Sequence, residues 1–177
     1  HTQHQRGFVI TWNDDDDGQL AKWEARLQEF QPERRQARAA HEFEFLAEDG
    51  TTHKIHYELY GGEDTEDHKT EKVLFIAGLA TCTDWWLPQV RFFSRQDRYQ
   101  ICVFDNQGAG WKSTTPKNGP MISTRQMAKD ALRLMDHLGW DKAHICGLSM
   151  GGMIAQQIGL LEPNRVASLI LNSTYLR

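Results

Sequence analysis

The stretch of sequence that decides the fold is residues 142–161, which read KAHICGLSMGGMIAQQIGLL. The letters AHIC predict a short buried strand, and MIAQQIGLL predicts an apolar helix. The G-x-S-x-G pattern formed by Gly147, Ser149 and Gly151 therefore falls at a turn from a strand to a helix. That setting is typical of a nucleophile elbow, in which a sharp turn presents a serine hydroxyl at the end of a sheet.

The chemistry predicted at this turn depends on Ser149 and on the amide that follows it. Gly147 and Gly151 carry no Cβ that would clash with the neighbouring chain, so the serine can adopt strained backbone geometry and project its hydroxyl clear of the sheet. Met150 N–H lies at the start of the helix, where unpaired amides and the positive end of the dipole favour a developing oxyanion. Because the pattern is short, a Gly-Ser turn without chemistry is the alternative interpretation.

The composition is that of one globular domain with enough apolar residues to form a core. The chain has 177 residues, of which 40% are hydrophobic, and a net charge of -4. Basic residues are interspersed with acidic ones, so no nucleic-acid partner is expected. No apolar run approaches the roughly 18 residues that a membrane span needs, so no transmembrane segment is predicted either.

The cysteines and the acidic residues give no sign of a metal site. Cys82, Cys102 and Cys146 are odd in number and lack metal-type spacing, so we predict free thiols, two of them buried. Free thiols favour an intracellular, reducing compartment, either the cytoplasm or an organelle lumen such as the mitochondrial matrix. The acidic run Asp14–Asp17 is a poor metal site because consecutive residues do not easily point at one ion. Neither a metal nor a cofactor is predicted.

Residues 1–40 differ from the rest of the chain and are predicted to be an N-terminal extension or arm. Apolar residues recur there at helical spacing, and an arginine-rich segment follows them. The spacing is carried by Leu20, Trp23, Leu27 and Phe30. Two interpretations stay open: the arm docks on a protein partner, or its helix folds back on its own domain.

From His41 onward, strands alternate with helices, which predicts an α/β domain over residues 41–177. A β-hairpin comes first, and later continuous apolar runs are typical of strands buried on both faces. The predicted hairpin covers residues 43–59, the later strands residues 73–76, 101–104, 143–146 and 166–171, and the helices residues 83–95, 123–138 and 153–161. This order predicts a mostly parallel sheet with helices on both faces.

Three loops are expected to meet at one rim of this sheet. Gly78, Asp105 and Ser149 each follow a predicted strand, and ligands of parallel sheets bind at the carboxyl ends of the strands. The segment between the hairpin and the next strand, residues 61–72, is polar and charged, with no apolar residue to anchor it.

The motifs in these three loops resemble those of the α/β-hydrolase fold superfamily, serine hydrolase type. They are Ala77-Gly78-Leu79, the DNQGAG sequence of Asp105–Gly110, and the elbow itself. Their order and spacing resemble the first half of that fold, strands 1 to 6, with an N-terminal hairpin and an incomplete C-terminal half. The resemblance implies that Ser149 is the nucleophile, that Leu79 N–H and Met150 N–H are the oxyanion-hole donors, and that Asp105 is structural in its loop.

The chain also departs from the family pattern. Family members often carry an arginine where this sequence has Gln107, which removes an ion pair from that loop. In the family, the triad acid and histidine follow the serine, whereas here no histidine follows His144. We therefore expect the acid and the histidine to lie outside this chain. His53, His56, His137 and His144 are interpreted as surface or structural residues.

Two functions remain in view. The first is a serine hydrolase that acts on a small acyl, ester-like substrate through an acyl-enzyme on Ser149. The second is a catalytically inactive, α/β-hydrolase-like subunit of a larger assembly, with partner surfaces on residues 1–40 and along the open edge of the strand Val166–Leu171. Because the sequence starts at His1 and stops after the sixth strand, we expect a fragment or a split subunit, inactive on its own.

Overall fold

The computed structural model describes residues 39–46, 50, 52–110, 113 and 122–175. These residues form six strands, three α-helices and two short 3₁₀ helices. The strands are β1 (Ala39–Leu46), β2 (Thr52–Gly61), β3 (Glu71–Ile76), β4 (Tyr99–Phe104), β5 (Ala143–Leu148) and β6 (Val166–Asn172). The α-helices are α1 (Leu87–Phe93), α2 (Thr124–His137) and α3 (Met150–Leu161), and the 3₁₀ helices are Thr83–Trp86 and Pro163–Arg165.

The six strands form one sheet in the order β1-β2-β4-β3-β5-β6. The hairpin strand β2 pairs antiparallel with both β1 and β4, whereas β4, β3, β5 and β6 run parallel. The parallel strands all end at the same edge, so the loops after β3, β4 and β5 are brought together there. The predicted α/β fold with a mostly parallel sheet is confirmed.

Helices cover both faces of the sheet, as predicted. On one face, α2 and α3 pack over a core that includes Leu74, Phe104 and Ile145, all no more than 1% exposed. On the other face, α1 and the preceding 3₁₀ helix pack Trp86 and Val90 against the odd-numbered residues of β3 and β4. The alternation within each strand therefore sends successive side chains into two different cores.

Two helices start elsewhere than the sequence pattern predicts. The helix expected at residues 83–95 is split into a 3₁₀ turn and the short α1, which begins at Leu87 with Pro88 in its first turn. Proline suits that position because an amide in the first turn has no partner within the helix. The elbow helix α3 starts at Met150, directly after the serine and three residues earlier than expected.

The structure describes the predicted N-terminal arm, residues 1–40, only from Ala39 onward. Ala39 and Ala40 belong to β1, and the rest of the predicted arm lies outside the described residues. β1 bounds one side of the sheet and β6 the other. Three large side chains of β6 are exposed, Leu169 to 39%, Ile170 to 51% and Leu171 to 37%.

Candidate active site

The elbow between β5 and α3 holds Ser149 in a backbone conformation that non-glycine residues rarely adopt. Its φ is 53° and its ψ is -119°, and its side chain is exposed. A residue in such a sparsely populated region costs about 1–3 kcal/mol and persists only where its surroundings enforce it. The serine hydroxyl is therefore held at the surface by the surrounding backbone.

The two elbow glycines are positions where any side chain would collide with main chain. A Cβ on Gly147 would lie 2.3 Å from the carbonyl oxygen of Gly151, and a Cβ on Gly151 would lie 2.1 Å from the carbonyl oxygen of Ile76. This close approach brings the first turn of α3 against the end of β3. The turn is consequently as tight as the G-x-S-x-G pattern requires.

The loop after β3 reaches the elbow from the side. We call residues 77–83 the β3 loop. Its buried Gly78 lies beside the serine: a Cβ there would be 3.3 Å from Ser149 Cβ and 3.8 Å from Ser149 Oγ. Leu79 comes next and is 73% exposed, and Ala80 has a positive φ of 55°. The backbone at Gly78 thus lies beside the serine hydroxyl.

The loop after β4 supplies buried polar side chains that bind the β3 loop. Asp105 is 3% exposed, and its Oδ1 accepts a hydrogen bond of 2.8 Å from Thr83 N–H. Burial raises the pKa of this carboxyl, and the bond from Thr83 opposes the rise. Asn106 donates from Nδ2 to the carbonyl oxygen of Ala77 at 2.9 Å. Sequence reasoning expected a structural Asp105 and did not single out Asn106.

Gln107 and Ser113 tie the same loop to β2. Gln107 is buried, and its Nε2 lies 2.9 Å from Nε2 of His53 on β2. Ser113 Oγ accepts from His56 N–H and donates to the carbonyl of Asp105, both at 3.1 Å. At Gln107, where the sequence departs from the family pattern, the side chain therefore contacts a histidine of β2.

The end of β6 also supports the elbow through contacts that no motif in the sequence predicts. Ser149 N–H donates to the carbonyl of Asn172 at 3.0 Å, and Gly152 approaches Thr174 so closely that a Cβ would lie 2.5 Å from Thr174 Cγ2. Because such contacts depend on strand register, a linear pattern does not reveal them.

The histidines that precede the serine have other partners. His137 Nε2 lies 3.1 Å from the Tyr57 hydroxyl, and its ring stacks on Phe43. His144 Nδ1 lies 2.7 Å from Ser168 Oγ, near the amino end of β5. His53 and His56 are buried on β2. In the described part of the chain, no three His, Cys, Asp or Glu side chains form a group able to hold a metal ion.

The cysteines and the helices add two further observations. All three cysteines are free, with Cys102 and Cys146 buried and Cys82 half-buried. Burial raises the pKa of the thiols of Cys102 and Cys146, which keeps both protonated. Among the described helices, none combines the length and the apolar character that crossing a membrane requires.

An exposed serine on a strained turn from a strand to a helix, at the carboxyl edge of a mostly parallel sheet, defines the class of α/β-hydrolase-like proteins. The alpha/beta hydrolase fold family matches residues 72–176, and the chain belongs to that family. The match covers all three rim loops and runs from β3 to β6.

Individual relatives agree with this assignment. A protein of Caulobacter vibrioides named "Putative carbamate hydrolase RutD" is 32% identical over 128 residues, which are 72% of this chain and 45% of the relative. The structure of a thermophilic esterase from Thermogutta terrifontis superposes with a TM-score of 0.67 at 26% identity, over 78% of this chain and 47% of the esterase. An enol-lactonase from Burkholderia xenovorans gives a TM-score of 0.58 at 27% identity, over 70% and 44% respectively. The chain spans about half the length of the curated relatives it matches.

Proposed function

We propose that the whole protein is a serine hydrolase that cleaves small acyl, ester-like compounds through an acyl-enzyme on Ser149. The observation that carries this proposal is the exposed Ser149 side chain on its strained backbone, with the buried Gly78 packed beside it. Strain of this kind lowers stability, so it needs a compensating role. Presentation of a nucleophile is the role that fits a hydroxyl held outward at the rim of the sheet.

The proposed reaction has two stages. Ser149 Oγ attacks the carbonyl carbon while its proton passes to a base, and the bond to the leaving group breaks as the leaving group takes up that proton. Water then attacks the acyl-enzyme, which releases the acid and restores the hydroxyl. We place the base and its supporting acid in sequence outside these 177 residues, since no histidine follows Ser149.

Two backbone amides are the proposed oxyanion-hole donors. Met150 is the first residue of α3, and the first amides of a helix have no partner within it. Leu79 follows the glycine that packs on the serine, so its amide belongs to the part of the β3 loop beside the hydroxyl. Loss of one such donor lowers kcat by about 10²–10³-fold.

The relatives support an acyl compound as the substrate. They include proteins named as a carbamate hydrolase, an esterase and an enol-lactonase. Carbamates, esters and lactones share an acyl carbon bonded to a heteroatom that can leave. This shared chemistry fits attack by Ser149 and stabilisation of the resulting oxyanion.

Labelling with a fluorophosphonate probe tests the proposal in the whole protein. We expect the probe to modify the folded wild-type protein at Ser149, and Ser149→Ala to abolish the modification. Ser173→Ala is the matched control, because Ser173 is also exposed and also has a positive φ, of 47°. A folded wild-type protein that resists the probe, or labelling that survives in Ser149→Ala, would overturn the proposal.

A second candidate function rests on the exposed edge of β6. Within the described residues, β6 has a neighbour on one side only, and it carries the exposed Leu169, Ile170 and Leu171. An apolar open edge is a template for pairing with another strand. This observation favours pairing of β6 with another strand; in the second candidate, that strand belongs to a partner protein and this chain is a non-catalytic subunit. Light scattering of the native protein would support it by showing a stable complex whose Ser149 does not react with the probe, and an unaccompanied, reactive monomer would contradict it.

A further inference from the structure

The β3 loop is bound at both ends by two consecutive residues of the loop after β4. At its start, Asn106 Nδ2 donates to the carbonyl oxygen of Ala77 at 2.9 Å. At its end, Asp105 Oδ1 accepts from Thr83 N–H at 2.8 Å. The proposed donor Leu79 lies between these two points, so neither end of the segment that carries it can move freely.

The contact at the start of the loop also involves the elbow. The carbonyl oxygen of Ala77 that accepts from Asn106 would lie only 2.7 Å from a Cβ on Gly151. The loop after β3, the loop after β4 and the first turn of α3 therefore meet at one carbonyl group. Because Gly78 packs on Ser149 one residue later, the hydrogen bond from Asn106 sets where the following backbone lies relative to the serine.

Asn106 is a buried polar residue whose amide group is directed at the β3 loop. It is 2% exposed, and its Oδ1 has no hydrogen-bond partner among the described residues. An apolar residue of similar volume would fill the space but would leave the carbonyl oxygen of Ala77 without this donor, so the bond from Nδ2 is what the amide group adds to the β3 loop.

Asp105 is packed as tightly as Asn106. A Cβ on Gly110 would lie 1.9 Å from Asp105 Oδ2, so only a glycine there lets the backbone close over the carboxyl group. The loop after β4 thus encloses the carboxylate and directs its other oxygen at Thr83.

We infer that Asp105 and Asn106 are positioning residues that together hold the β3 loop so that Leu79 N–H faces the oxyanion formed at Ser149. The inference rests on the function proposed above. It predicts that variants of these residues stabilise the transition state less well, which lowers kcat and leaves substrate binding nearly unchanged. Displacement of a donor by about 1 Å can lower the rate by about 10²-fold. Neither residue contacts the reacting atoms.

The test compares four variants of the whole protein. Asn106→Leu removes the donor at similar volume, and Asn106→Asp keeps the shape but presents an oxygen to the carbonyl of Ala77. Asp105→Leu removes the acceptor for Thr83 N–H, and Asp105→Asn is the conservative control that retains it. Activity on p-nitrophenyl acetate gives kcat and KM, and hydrogen exchange of the amides of residues 78–83 reports directly on the loop.

We expect the first three variants to lower kcat by about 10–100-fold, with KM changed by less than about threefold and with faster exchange in the β3 loop. Asp105→Asn is expected to keep kcat within about threefold of the wild type because the bond from Thr83 is preserved. Wild-type kcat and wild-type exchange in folded Asn106→Leu or Asn106→Asp would overturn the inference.

Failure of the proposed function is distinguishable from failure of this inference. A wild-type protein that neither turns over the ester nor reacts with a fluorophosphonate refutes the nucleophile. Hydrogen exchange then tests the positioning by itself: faster exchange in Asn106→Leu at Thr83, whose amide is hydrogen-bonded in the wild type, supports it, and unchanged exchange contradicts it. Circular dichroism of each variant shows whether the fold is retained, and Asn106→Asp takes the place of Asn106→Leu if the latter unfolds.

Discussion

The two ends of the parallel strands are held together in different ways. At the amino ends, side chains form a polar network in which Lys72 Nζ donates to Asp64 Oδ1, Thr70 Oγ1 and Gln100 Oε1 at 2.7–2.9 Å. At the carboxyl ends, backbone packs directly on backbone through Gly151 and its neighbours. The three described non-glycine residues with positive φ, which are Ala80, Ser149 and Ser173, all lie at the carboxyl ends.

This difference predicts that the two ends of the sheet tolerate substitution differently. The network at the amino ends satisfies buried polar atoms with flexible side chains, and such contacts can adjust when one member is lost. The carboxyl ends store strain and leave no space between main-chain atoms, which is typical of a site that must hold groups in fixed positions. Substitutions at the two ends should consequently differ in size and in pH dependence.

The largest effect is expected from Gly151→Ala. Its new Cβ would lie 2.1 Å from the carbonyl oxygen of Ile76, and neither backbone segment can move aside without separating α3 from β3. We expect the free energy of unfolding to fall by about 3 kcal/mol, as measured by urea denaturation. Gly159→Ala in the same helix is the control: its Cβ would have only Leu169 Cδ2 nearby, at 4.0 Å, and it should stabilise the protein by up to about 1 kcal/mol. Equal effects of the two variants would refute the tight packing at the elbow.

The strands and helices of the sheet were largely predictable from sequence, because apolar runs and helical spacing are local signals. Continuous apolar residues identified β3, β4, β5 and β6 to within two residues at each end. The elbow was predictable because its glycines and serine are adjacent in the chain. Helix starts were less accurate, since the strain at Ser149 lets α3 begin directly at Met150.

The contacts between distant residues could not be predicted in the same way. Lys72 meets Gln100 because β3 and β4 pair in that register, and Gln100 also accepts from Trp140 Nε1 at 3.0 Å. The segment before β3 has a polar anchor, Asp64, where the sequence showed only the absence of an apolar one. The bond from Asn106 to Ala77 depends on how two loops approach each other, which no single motif encodes.

Lys72→Met should give the next largest effect. Lys72 has a side chain only 14% exposed, whereas its partner Asp64 is 37% exposed, so solvent screens part of the interaction. Asp64 also keeps its two bonds from Thr70. We therefore expect a loss of about 1–2 kcal/mol in the free energy of unfolding, measured by urea denaturation. Lys69→Met is the matched control because Lys69 Nζ lies 3.8 Å from the same carboxylate on a 75% exposed side chain. An effect of Lys69→Met as large as that of Lys72→Met would refute the network.

The contributions of Asp64, at the amino ends, and of Asp105, at the carboxyl ends, to the stability of the fold should change with pH in opposite directions. Hydrogen bonds from Lys72 and Thr70 hold the pKa of Asp64 well below its usual range, so Asp64 stabilises the fold above its unfolded pKa of about 3.9 and loses that contribution as pH falls. Burial raises the pKa of Asp105, so its contribution is largest when it is protonated and is lost as pH rises through the folded pKa.

Urea denaturation of Asp64→Asn and Asp105→Asn at about pH 3 and about pH 7 measures this contrast. The stability difference between the wild type and Asp64→Asn should grow with pH, reaching about 1 kcal/mol or less because Asp64 is partly solvent-exposed. The stability of the wild type relative to Asp105→Asn should instead fall over the same range, because burial disfavours the charged carboxylate and the asparagine carries no charge. If both stability differences changed with pH in the same direction, the assignment of Asp64 to hydrogen bonding with Lys72 and of Asp105 to burial would be contradicted.

The smallest effect is expected from Arg98→Gln at the amino end. Arg98 Nη2 lies 2.7 Å from Glu71 Oε1, but the two side chains are 56% and 45% exposed, and ion pairs in that setting often contribute nothing measurable. We expect no resolvable change in the urea midpoint, and any small change should vanish in high salt. Arg165→Gln is the informative comparison, because Arg165 is half-buried and donates to the backbone carbonyls of Asp141 and Trp140 as well as to Asp136. Arg165→Gln should be more destabilising than Arg98→Gln. The reverse order would mean that exposed ion pairs, rather than half-buried hydrogen bonds to the backbone, hold the strands together at their amino ends.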